Sequence, residues 1–263
     1  MEKKADLKLA VTIDADNIPS EYIKNILEEI AKYGSPTFKR IYGDWTKPNL
    51  TKWKSVLLEH AITPIQQYSY TSGKNSTDSA MIIDAMDILY AGKVGGFCII
   101  SSDSDFTRLA LRLRESGMIV FGFGEKKTPY PFIAACDKFI YLEILHSEEE
   151  DNEIQTIESQ VKEPSVQKSI HKINSSTIAL IAASVDDIAD DDGWAFLGDV
   201  GNMIMKKKPD FDPRNYGFLK LTPLIKSLKS HFDIDERQTT SATIKHVYIK
   251  TKKKPYVPKK KKK

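Results

Sequence analysis

Three aspartates of this 263-residue chain stand where carboxylate chemistry would need them. Asp14 ends the apolar run Leu9 to Ile13, and Asp103 follows the run Phe97 to Ile100 within Ser101-Ser102-Asp103-Ser104-Asp105. Asp78 opens a long helical pattern, so its carboxylate can reach the same rim if the two runs are neighbouring strands. Converging carboxylates repel one another unless a cation sits among them. A ligand set of oxygens alone, with no His or Cys nearby, selects Mg²⁺ or Mn²⁺ over zinc. Such an ion keeps waters, takes substrate phosphate oxygens as further ligands, and can activate water against a phosphodiester. Asp105 and Asn17 lie beside these acids in sequence, and Lys74, Arg108, Lys126 and Lys127 are the bases placed to grip phosphate.

Each residue also has a plainer use. Asp16 or Asn17 could cap the helix that starts near Pro19, and Asp103 or Ser104 the helix after it. Asp78 gains from a helix dipole whatever else it does. Asp84 lies six residues beyond Asp78, about 600° around a helix, and so cannot share its face. Asp84 and Asp87 could be a solvated face, and Arg108 a helix-surface charge near Glu115. Gly73-Lys74 is no phosphate-binding loop, because Tyr68 stands where the first glycine belongs and Asn75 where Ser or Thr does. The five histidines have neither ligand nor triad spacing. Cys98, inside an apolar run, reads as a small buried hydrophobe.

The elements that must position the acids alternate. Strand-like runs at 9–13, 38–42, 62–65, 97–100 and 118–123 are separated by helical patterns at 19–33, 50–59, 77–90 and 105–115. That alternation predicts βαβ units and a parallel sheet, an α/β domain whose chemistry belongs at the carboxyl ends of its strands. Composition then changes sharply. Residues 147–175 are rich in Glu, Ser and Gln and poor in apolar side chains, as expected of a flexible acidic linker. Residues 176–249 carry three helical faces, through Ile178, Ile181 and Val185, then Leu197, Val200 and Ile204, then Leu221, Leu224, Ile225 and Leu228. Two β-rich pieces near 232–234 and 244–249 follow, which predicts a small winged helix-turn-helix. Trp194 is expected in its core, while Lys206 to Lys208 and Arg214 could line a nucleic-acid face.

Charge is distributed unevenly. Residues 250–263 hold nine lysines and no acid, and removing these nine from the net charge of +3 leaves −6 on the rest. An acidic body with a basic tail suggests a polyanionic partner met by the tail, or else a solubilising end. No apolar run approaches the roughly 20 residues of a bilayer span. The lysine-containing start has no signal-peptide core, and two cysteines make no disulfide framework, so a cytoplasmic protein away from membranes is expected.

The strings Val11-Thr12-Ile13-Asp14-Ala15-Asp16-Asn17, Gly73-Lys74-Asn75-Ser76-Thr77-Asp78, Ser101-Ser102-Asp103-Ser104-Asp105-Phe106 and Gly122-Phe123-Gly124-Glu125-Lys126-Lys127-Thr128-Pro129 resemble the NYN domain over about residues 7–145. NYN domains belong to the PIN-like superfamily of metal-dependent ribonucleases. Asp192-Gly193-Trp194, Leu197-Gly198-Asp199-Val200-Gly201 and Pro209-Asp210-Phe211-Asp212-Pro213-Arg214-Asn215-Tyr216-Gly217 resemble an OST-HTH/LOTUS domain. The whole is similar to the bacterial NYN–LOTUS type of protein. The expected layout is an NYN domain over 1–146, the linker over 147–175, a LOTUS domain over 176–249 and the lysine-rich tail.

The resemblance implies a five-stranded parallel sheet with an acidic site at its carboxyl edge. Asp14, Asp78 and Asp103 match the metal-binding acids, Asp105 a supporting acid and Asn17 a polar residue beside the site, while Asp84 matches a recurring acid of the long helix. The implied activity is Mg²⁺- or Mn²⁺-dependent RNA cleavage. The implied partner is RNA, with LOTUS domains implicated in binding structured and G-rich RNA. Two other readings stand beside this one. The first is a non-catalytic RNA-binding adaptor. The second is an aspartate-dependent phosphatase, since Asp14-Ala15-Asp16 after a strand resembles the nucleophile motif of haloacid dehalogenases; Ile18 departs from the Thr or Val that motif wants.

Overall fold

A computed structural model describes residues 6–68, 76–145, 169–238 and 245–252. Lys74, the linker up to residue 168 and the tail from residue 253 lie outside the described residues. The chain divides into two compact units.

In the first unit β1 (Lys8–Asp14) is the central strand. Leu9, Ala10, Val11 and Ile13 are fully buried, as a strand covered on both faces requires. The chain leaves β1 through α1 (Ile23–Ala31) to β2 (Ser35–Gly43), then through α2 (Trp53–Glu59) to β3 (Thr63–Gln66). It returns through α3 (Ser76–Tyr90) to β4 (Gly96–Ile100), on the other side of β1, and continues through α4 (Thr107–Glu115), β5 (Ile119–Gly124), α5 (Tyr130–Ala135) and β6 (Lys138–Tyr141). The order β3-β2-β1-β4-β5-β6 is parallel throughout, flanked by helices. Strand order therefore reverses between β1 and β4, where a crevice opens at the carboxyl ends. Helix α3 makes the crossing with Thr77, Met81, Ala85 and Ile88 buried at helical spacing.

The sheet has six strands, one more than the resemblance implied. β6 is only Lys138–Tyr141 and follows the six-residue α5, and neither is long enough to show a periodicity in sequence.

The second unit packs α6 (Ser175–Asp186), α7 (Leu197–Lys207) and α8 (Leu221–Ser227) against a small antiparallel sheet. Asn174 caps α6, its Oδ1 accepting from Thr177 N at 2.9 Å. The sheet orders β7 (Ala195–Phe196), β9 (Lys245–Thr251) and β8 (Phe232–Gln238), the last two forming the wing. Ile181, Val185, Val200, Ile204, Leu224, Ile225 and Ile249 are fully buried and make its core. Trp194 is only half-buried, with the Arg237 guanidinium 5.8 Å from its ring centroid, so it is not the core residue expected. Arg214 is likewise no free base. Its guanidinium donates to Asp212 through Nε at 3.1 Å and Nη2 at 2.9 Å, both side chains being nearly buried. No helix among the described residues is long and apolar enough to cross a membrane.

Candidate metal centre

The crevice between β1 and β4 brings two acidic strand ends together. Ile13 pairs with Ile100, so Asp14 and Ser101 leave the sheet side by side. Asp14 is 1% exposed, and three donors converge on its carboxylate: Asn17 Nδ2 at 2.6 Å, Ser101 Oγ at 2.9 Å and the Asp16 amide at 3.1 Å. Burial pushes the Asp14 carboxyl above its ordinary range, and the hydrogen bonds from Asn17 and Ser101 pull the other way. Asn17 is thus spent on Asp14, and Asp16 accepts from Thr77 Oγ1 at 3.3 Å. Neither caps the following helical turn, whose N-cap position is Pro19 with no side-chain bond.

Ser101 was missed in sequence. It is fully buried, and while its hydroxyl donates to Asp14 its oxygen accepts the Asp103 amide at 3.1 Å. One side chain therefore couples the two strand ends. Its only signal was its place directly after the apolar run. Asp103 does cap the short turn Ser104–Phe106, its Oδ1 accepting from Asp105 N at 2.9 Å. Capping and site membership coexist, because the second carboxylate oxygen is left for another role.

Asp78 enters from the first turn of α3. Its carboxyl is pushed up to about 6, first by burial and then by the negative charges of Asp14, Asp103, Asp105 and Asp16. Asp78, Asp103 and Asp105 can each offer one oxygen such that all three lie within 4.8 Å of one another. Oxygens about 2.1 Å from one octahedral ion lie about 3.0 Å apart when adjacent and about 4.2 Å when opposite, so side-chain rotations would have to draw the trio closer for all three to reach one Mg²⁺ or Mn²⁺. The donor set is of the hard-cation type. Asp14 is not in that trio; it stands beside it, engaged by its own donors.

The bases expected near the site are placed unevenly. Arg108 is exposed on α4, three residues after Asp105. Lys126 and Lys127 are exposed on the loop after β5, where Lys127 Nζ lies 2.5 Å from Glu125. That loop is tied to the β4 end, since Glu125 N donates to Ser102 Oγ at 2.9 Å and Thr128 N to Glu125 O at 2.9 Å. Gly124 makes the approach possible, because a Cβ there would meet Ser101 O at 2.7 Å.

The family model of the NYN domain matches residues 8–143. That of the OST-HTH/LOTUS domain matches residues 166–242. No curated protein matches the chain. Among solved structures, the solution structure of an uncharacterised Nitrosomonas europaea protein is similar at 34% identity, covering 38% of this chain and 93% of that one with a TM-score of 0.31. The crystal structure of a Vibrio parahaemolyticus protein of unknown function is similar at 18% identity, covering 53% of this chain and 94% of that one with a TM-score of 0.44.

Proposed function

The chain belongs to the NYN domain family, and from that premise we propose that it is a Mg²⁺- or Mn²⁺-dependent endoribonuclease whose LOTUS domain binds RNA. Membership of a PIN-like nuclease family together with a LOTUS domain marks an RNA-related nuclease or binder. The observation that carries the catalytic reading is the trio Asp78, Asp103 and Asp105 at the switch point of the sheet, with oxygens within 4.8 Å.

These three residues would hold the ion through one oxygen each. When bound, a divalent ion supplies an acidified water and offsets charge on the phosphodiester. The protein's part is positioning. Ser101 holds Asp14 and the Asp103 amide in one hydrogen-bonded chain, and Asn17 fixes the other side of Asp14. Asp78, raised to about 6 without a cation, is mostly ionised at neutral pH and would complete the ligand set there, less readily as pH falls below 6. Arg108, Lys126, Lys127 and Lys74 would grip backbone phosphates on either side of the scissile bond. The LOTUS domain would take structured RNA, G-rich RNA included. The phosphatase reading loses support, because its nucleophile Asp14 is 1% exposed with three donors on its oxygens.

Full-length protein incubated with end-labelled RNA and Mn²⁺, beside an EDTA control, tests the proposal. Products with 5′-phosphate and 3′-hydroxyl ends are expected, since water rather than the 2′-hydroxyl attacks. Cyclic 2′,3′-phosphate ends contradict it. Binding without cleavage of any RNA with Mn²⁺ supports the adaptor instead.

A further inference from the structure

Asp84 is an acid of α3 that the site does not use. Its carboxylate bridges two neighbours on β2: Arg40 Nη1 donates to Oδ1 and the Tyr42 hydroxyl donates to Oδ2. Arg40 and Tyr42 are two apart on one strand, so both point to the sheet face that α3 covers. Tyr42 is fully buried and lies directly opposite Asp14 in the parallel register, and its carbonyl accepts the Ala15 amide at 3.0 Å. One residue of β2 thus touches both the helix carrying Asp78 and the strand end carrying Asp14.

A helix packed through Met81, Ala85 and Ile88 rests on apolar contacts, which are non-directional and tolerate sliding and rolling. Two hydrogen bonds from different strand positions to the two oxygens of one carboxylate are directional. They fix α3 against both motions. Asp78 lies six residues before this pin, about 9 Å along the helix axis and about 120° around it. A roll of α3 by one residue, about 100°, would therefore carry Asp78 away from Asp103 and Asp105. Bringing an Asp78 oxygen within 4.8 Å of oxygens of these acids requires the helix at one height and one rotation.

We propose that the Asp84–Arg40–Tyr42 set is a positioning device that holds α3 in the register where Asp78 completes the metal-binding trio. Asp84 is a positioning residue; it contributes no ligand. The proposal rests on the metal-site reading above for its functional consequence, but its structural content does not.

The test uses the full chain and Mn²⁺ alone as probe, with amide hydrogen exchange across residues 76–90 as a metal-free readout. Asp84→Ala should weaken Mn²⁺ binding about tenfold, and in an Asp78→Asn background it should cost less than about twofold, because coupled positions are non-additive. Exchange at residues 76–80 should quicken while β4 stays protected. Tyr42→Phe, which keeps the ring that fills the core, should show the same pattern more weakly and guards against a misfolded Asp84 variant. Unchanged Mn²⁺ affinity and exchange in Asp84→Ala overturn the proposal. So does an equal loss with and without Asp78, which assigns Asp84 to general stability or long-range charge. If the wild-type chain binds no Mn²⁺, the metal reading falls, and exchange at residues 76–80 decides the positioning by itself.

Discussion

At the carboxyl edge of the parallel sheet, Asp14, Asp78, Asp103 and Asp105 have one another for neighbours, and burial with like charge pushes the Asp78 carboxyl up to about 6. Along the antiparallel wing, each acid faces a base. Asp233 lies 3.2 Å from Lys252, Asp235 2.8 Å from Arg237 and Glu236 2.5 Å from Lys226, and the Lys226 hydrogen bond holds the exposed Glu236 below its ordinary range. A parallel sheet gathers successive strand ends at one edge, so acids far apart in sequence collect in one crevice. In the wing the bases come from several places: Arg237 is two residues along β8 from Asp235, Lys226 is on α8 beside Glu236, and Lys252 just beyond β9 reaches Asp233. Acids gathered with like charge around them offer a cation site.

The largest effect expected from breaking this contrast is on cleavage. Asp103→Asn should reduce Mn²⁺-dependent RNA cleavage by about a hundredfold or more, the scale for removing a group that stabilises a transition state. Single-turnover rates at saturating RNA measure it, and near-normal rates would remove Asp103 from the site.

The lysine tail sharpens the contrast from the other side, as charge that attracts RNA without cutting it. Lys250 Nζ donates to Asp192 O at 2.5 Å and Lys252 Nζ to Lys229 O at 2.8 Å, so a truncation should spare both and begin at residue 253. Removing 253–263 takes away seven lysines. The salt dependence of RNA binding should flatten by about 0.7 for every phosphate that the tail no longer neutralises. Cleavage at saturating RNA should hold. Binding isotherms at four salt concentrations decide, and an unchanged slope makes the tail a solubilising end.

A smaller effect is expected on stability. The Asp78 carboxyl sits higher in the folded than in the unfolded chain, so the native state holds the extra proton and metal-free stability falls as pH rises from about 4 to 6. Asp78→Asn should remove this fall and, after discounting for solvent screening, gain about 1 kcal/mol at pH 7. Denaturant melts in EDTA at pH 4 and pH 7 measure it. A variant less stable at pH 7 than the wild type would mean that Asp78 is not held against repulsion. The smallest effect belongs to the wing. Glu236→Gln should leave the melting temperature and Mn²⁺ response unchanged, since exposed pairs contribute little.

Much of this arrangement was legible in the sequence, and the exceptions have physical causes. The short, largely apolar runs before Asp14 and Asp103, bounded by turn residues and alternating with helical patterns, are what strands covered on both faces look like in sequence. Their adjacency, β1 beside β4, was the condition on which the site depended and is what the sheet has. Asp105 was given a supporting place, and its oxygen lies within 4.8 Å of oxygens of Asp78 and Asp103. Its placement depends on the turn Ser104–Phe106, whose geometry no periodicity reports. Asp84 shows the same limit. Helical spacing established that it could not share Asp78's face, but its partners Arg40 and Tyr42 are more than forty residues away in sequence. β7, two residues long, lies below any patterning signal.

The central claim is that the acids of the parallel-sheet edge, and not those of the wing, are built to hold a divalent cation. Paramagnetic broadening by substoichiometric Mn²⁺, followed in amide and carboxyl NMR spectra of the full chain, tests it most directly. The account predicts that resonances of Asp78, Asp103 and Asp105 broaden first and together, that Asp103→Asn abolishes this, and that Asp233, Asp235 and Glu236 stay sharp. Broadening spread evenly over both groups of acids, or confined to the wing, would contradict it.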